Sequence, residues 1–100
     1  MSLFTCVSPV DDAILASRAF AGETAISDAV AAARAAQRNW RAQSVSARAR
    51  ICHAFLGAML SMQDEIIPEL ARQMGRPVRY GAGELRGFEE RARQIGRAHV

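Results

Sequence analysis

The chain has 100 residues, half of them apolar, and a formal charge of +3, and a chain this short buries only roughly two-thirds of its unfolded surface. All 13 basic residues are Arg, which excludes within these residues a Schiff-base lysine, a lysine general base and the phosphate-gripping lysine of a P-loop. The charge is too modest to argue for nucleic acid, and no apolar run approaches the ~18 residues that span a bilayer.

Leu3–Val7 and Ile14–Ala19 are short runs of β-formers, and the Pro and Asp residues of Ser8-Pro9-Val10-Asp11-Asp12 suit a turn between them. A β-hairpin over residues 3–19 follows. A lone hairpin is marginal in water, so this one has to lie against something else.

Four helices are predicted behind it. The first runs over about 25–41, with Thr24 as N-cap and an apolar stripe of Ile26, Val30, Ala33 and Trp40 flanked by Arg34, Arg38 and Arg41. The second, over 46–62, places Cys52, Phe55, Met59 and Met62 on one face with Ile51 and Leu56 at its margins. A break at Gln63-Asp64 precedes the third, over 64–74, where Pro68 is tolerable only near the first turn. Ile67, Leu70 and Met74 form its buried side, Gly75 suits the left-handed position after it, and Pro77 prevents resumption. The fourth, over 83–94, carries a stripe of Leu85, Phe88, Ala92 and Ile95, with Arg86–Glu90 and Glu89–Arg93 as i,i+4 pairs. The expected fold is therefore mostly α with an N-terminal hairpin.

The end of the chain breaks this pattern. Gly96 interrupts a helix that had reason to continue, and one reverse translation of residues 94–100 matches, apart from its first base, the start of a common sequencing adapter read in frame. Residues 95–100 are accordingly expected to be a non-native tail behind a unit of 1–94.

No residue earns a catalytic, cofactor-binding or metal-ligating role. Cys52-His53 invites a thiolate–imidazole dyad, but adjacent helix residues point about 100° apart. Cys52 reads as a small core hydrophobe, and His99 falls in the tail. Gly81-x-Gly83-x-x-x-Gly87 misses the dinucleotide fingerprint, its third glycine one position late and no strong strand ahead of it. Asp64, Glu65 and Glu69, like Glu84, Glu89 and Glu90, read as solvated helix faces with Arg partners. The Arg34–Arg38–Arg41 row, with Arg48 and Arg50 beyond it, has only Trp40 as an aromatic neighbour, so no stacking platform for bases is present. Cys6 and Cys52 lack metal-ligand spacing and fit a reducing cytosol. The opening MSLFTCVSPVDD lacks the basic and apolar regions of a signal peptide, which makes a cytoplasmic protein the expectation.

Taken in order, Ser8-Pro9-Val10-Asp11, the AVAAARAAQRNW helix, the ARARICHAFLGAML helix, DEIIPELARQMGRP and GELRGFEERAR resemble the N-terminal segment of the NAD(P)-dependent aldehyde dehydrogenase superfamily. The resemblance covers about residues 5–94. Gly75-Arg76-Pro77 stands where the family often has Gly-Lys-Pro, and Asp12 where a glycine commonly follows the turn. It implies oxidation of an aldehyde to an acid through a cysteine thiohemiacetal, with NAD or NADP taking the hydride. The nucleophile, the general base and the nucleotide-gripping residues would lie downstream. This chain would be the opening layer of a Rossmann-like α/β cofactor-binding domain, inactive alone. Its partners would be the remainder of its own chain, the aldehyde and, in a homo-oligomer, further copies, with no nucleic acid or membrane. The residues alone leave a second reading open, a self-contained helical module that presents the Arg34–Arg38–Arg41 row to an acidic or nucleic-acid partner; salt-dependent binding separates the two.

Two outcomes follow. Sequencing the source DNA should show adapter codons across 95–100, and any other codons there reject the tail. Residues 1–94 expressed alone should melt without a sharp transition, and a cooperative unfolding curve for the monomer would count against a lost partner layer.

Overall fold

The computed structural model describes residues 2–97. In chain order these form β1 (Leu3–Val7), β2 (Ile14–Ala19), α1 (Glu23–Ala42), α2 (Val45–Ser61), α3 (Gln63–Met74), a 3-10 turn (Val78–Tyr80) and α4 (Gly81–Ala92). The chain is mostly helical behind one antiparallel two-stranded hairpin, as the sequence predicts.

The hairpin pairs Leu3 with Ala19 through Val7 with Ile14, with an irregularity between Cys6 and Val7. Its turn is held from inside. Ser8 is buried; its N–H donates to the Ala13 carbonyl at 2.8 Å, its own carbonyl accepts from the Asp12 N–H at 3.0 Å, and its Oγ accepts from the Val10 N–H at 3.2 Å. Asp12 has φ 61°, a left-handed conformation that short polar side chains tolerate better than most. The turn then seats on the end of α3. A Cβ at Gly75 would lie 2.9 Å from Pro9 Cγ, and Gly75 itself has φ 71°, so this one position needs glycine for both its backbone and its clearance.

Several boundaries differ from expectation, each for a local reason. The N-cap of α1 is Gly22, not Thr24, which brings Glu23 into the first turn where the helix dipole favours a carboxylate. The α2–α3 break falls at Met62 (φ −94°, ψ 9°), one residue early. Pro68 therefore sits in the second turn of α3, where its missing N–H leaves one carbonyl without a helical donor. The start of α4 is Gly81, two residues early, because the 3-10 turn leads straight into it. A Cβ on Gly81 would stand 2.5 Å from Ile67 Cγ2, so the bare glycine lets α4 approach α3.

Burial also departs from the expected stripes. On α2 the buried centre is Leu56, 2% exposed, and not the Phe55–Met62 edge; Phe55 and Met62 are exposed. Phe55 instead meets Phe88 of α4 edge-on, ring centroids 6.1 Å apart. Met74 of α3 and Ile95 beyond α4 are likewise exposed rather than packed. The expected stripe on α1 has nothing over it: the helix buries no residue. After Ala92 the chain turns, with Gly96 at φ 84° lying over Ala49 of α2. Of the predicted tail 95–100, residues 98–100 lie outside the described residues, His99 among them.

Among the described residues fifteen large apolar side chains are exposed and only Leu56 and Leu85 are buried. The radius of gyration is 17.8 Å, where a compact domain of this length has about 13 Å. The accessible surface of 8010 Å² exceeds by roughly 2,400 Å² what a compact monomer of this mass exposes. The chain is a layer 19 Å thick with the apolar side of α1 and of the hairpin uncovered.

Substituting Gly81→Ala should cost about 1–3 kcal/mol through overpacking on Ile67, a stiff β-branched side chain. Gly57→Ala, with open space around the new methyl, should gain up to about 1 kcal/mol from helix propensity. Hydrogen exchange checks both, faster across α3 and α4 in the first and slower across α2 in the second. Unchanged α3 and α4 protection in Gly81→Ala would refute the close approach.

Candidate functional site

Cys52 and His53 part company on the surface of α2. Cys52 is half-buried and lines a groove with Trp40, Val45, Arg48 and Ala49. His53 is exposed and lines a separate depression with Ser46, Arg50 and Arg93. A thiol and an imidazole facing different hollows do not form a nucleophile–base pair.

The three glycines at 81, 83 and 87 do not come together as a phosphate cradle. Gly81 is buried against Ile67, and Gly87 has nothing near the place of its missing Cβ. A 3-10 turn, not a strand, leads into α4. A dinucleotide thus has no cradle among the described residues.

Of the six carboxylates Asp64, Glu65, Glu69, Glu84, Glu89 and Glu90, three find side-chain partners: Glu69, Glu84 and Glu89. Glu84 pairs with Arg76, joining α4 to the loop after α3. Glu89 accepts from Arg93 at 2.6 Å, and Glu69 Oε1 accepts from Gln73 Nε2 at 3.0 Å. The expected Arg86–Glu90 pair is not formed; the Arg86 guanidinium folds back over Gly83, where no side chain stands in its way. Such exposed pairs contribute about 0–1 kcal/mol each. Among the described residues no group of three His, Cys, Asp or Glu side chains is placed to hold a metal ion, and no helix is long and apolar enough to cross a membrane.

Arg34 and Arg38 stand on α1 beside the equally exposed Ile26 and Val30, along a shallow hollow. Trp40, at the far end of the helix, is the one half-buried residue there. The row has no aromatic platform beside it.

The residue that sequence reasoning passed over is Arg48. Its Nε is buried with no hydrogen-bond partner among the described residues. The signal was in the spacing: Arg48, Cys52 and Leu56 recur every four positions along the inward side of α2.

The described residues thus form a hairpin and four helices whose apolar side on α1 and the hairpin is uncovered. The family model for the aldehyde dehydrogenase family matches residues 2–98. With nearly the whole length matched, the chain belongs to the aldehyde dehydrogenase family. No solved structure matches it.

Proposed function

We propose that the chain is the N-terminal structural part of an enzyme that oxidises an aldehyde to a carboxylic acid, with NAD+ or NADP+ accepting the hydride. Family membership over residues 2–98 carries this reading. In it the hairpin and helices flank a Rossmann-like cofactor-binding domain, and the nucleophile and nucleotide site belong to parts of the enzyme outside these residues. The surface in excess of a compact monomer, roughly 2,400 Å², supports it, because a layer of this kind gains its stability by resting on a sheet. The Arg stems and the apolar stripe of α1 then cover the flank of that sheet. The unmatched cysteines fit a reducing cytosol, and closed symmetric homo-oligomers are the common state of such enzymes.

The complete enzyme should form NAD(P)H when given aldehydes, followed by absorbance, while residues 1–94 alone should form none. Cys52→Ser and His53→Gln in the complete enzyme should leave kcat within about twofold, because loss of a true nucleophile costs ~10³-fold or more. A loss of that size in Cys52→Ser would move the chemistry into this chain and overturn the structural role.

A further inference from the structure

The groove between the end of α1 and the start of α2 holds a cation without a counterpart. Arg48 reaches into it between apolar walls formed by Trp40, Val45, Ala49 and Cys52. Its Nε is buried and meets no acceptor among the described residues. A buried donor of a charged group left unpaired is a standing cost that an incoming acceptor removes.

The surroundings specify that acceptor. No Asp or Glu lines this groove or the adjoining hollow of Ser46, Arg50, His53 and Arg93. Helix α2 contains no acidic residue at all, and Arg48 and Arg50 stand in its first two turns, at the positive end of the helix dipole, where an anion is favoured and a cation is not. Arginine presents a planar fork suited to a carboxylate. The apolar walls ask for apolar neighbours on either side of that carboxylate.

The whole layer, and not this groove alone, leaves surface for a large partner. Its excess of roughly 2,400 Å² is about three times the ~800 Å² that each partner gives to an ordinary protein–protein interface. A small anion leaves nearly all of that bare. A second copy docked with this groove on the two-fold axis fits poorly too, since only there would it set Arg48 against its own equivalent.

We propose that the groove receives a carboxylate-bearing segment from the remainder of its own chain, the carboxylate accepting from the Arg48 guanidinium and its apolar neighbours resting on Trp40 and Cys52. This rests on reading the chain as one layer of a larger domain. It assigns Arg48 a positioning role: the residue clips the helical layer to the body of the enzyme.

Cys52, inside the same groove, reports on the docking. In the complete enzyme its alkylation, followed by mass spectrometry of the Cys52 peptide, should be ~100-fold slower than in the isolated 100-residue chain, as expected of a site that reacts only on local opening. Arg48→Met in the complete enzyme should raise the rate ~10-fold by leaving the carboxylate unpaired, while Arg48→Lys, which keeps the charge, should restore most of the protection. Equal alkylation in the two forms of the wild-type protein overturns the docking, a comparison that needs no variant to fold. Equal rates for Arg48→Met and Arg48→Lys overturn the carboxylate. A complete enzyme that forms NAD(P)H from aldehydes with Cys52 fully reactive sinks this inference and leaves the proposed function standing.

Discussion

Thickness governs this molecule. A slab 19 Å deep has room for about two packed helices, each roughly 10 Å across, so no further layer covers the outward apolar sides. Contacts among α2, α3 and α4 use up what the chain can offer itself, and they bury Leu56 and Leu85. α1 and the hairpin are left with their greasy faces outward. Hydrophobic burial is the dominant favourable term in folding, and a layer that exposes fifteen large apolar side chains draws little of it from its own contacts.

The joints inside the layer are made by absence of side chains more than by attraction. Gly75 and Gly81 each stand where a methyl group would collide, one with the hairpin turn at Pro9, the other with Ile67 of the neighbouring helix. Close backbone approach of this kind fixes the angles between elements without requiring a large core. Ser8 does the complementary work in the turn. Buried and bonded through its N–H, its carbonyl and its hydroxyl, it stiffens the segment that rests on α3. The ion pairs Arg76–Glu84 and Arg93–Glu89 are exposed and add little by comparison.

The chain belongs to the aldehyde dehydrogenase family, and its hairpin turn is closely specified. Asp12 is left-handed, φ 61°, and the neighbouring Asp11 Oδ1 accepts from the Ala13 N–H at 3.1 Å to hold the turn. The exclusive use of Arg has a structural side as well. A guanidinium presents a planar fork of donors, and that of Arg48 lies in a groove walled by Trp40 and Cys52.

The sequence by itself settled what is local. The turn between Val7 and Ile14, the four helical periods and the left-handed Gly75 all follow from turn chemistry, propensity and spacing over a few residues, and the ordered motifs named the family. What it could not settle depends on neighbours distant in the chain. Leu56 became the buried centre of α2, while Phe55 stays exposed with its ring edge-on to Phe88 of α4. Arg86 lies over Gly83 and makes no ion pair with Glu90, since an exposed i,i+4 pair contributes too little for spacing alone to secure it. The buried Nε of Arg48 exists only once α1 and α2 meet. Helical periodicity says which side of a helix is apolar; only the packed chain says whether anything in reach covers it.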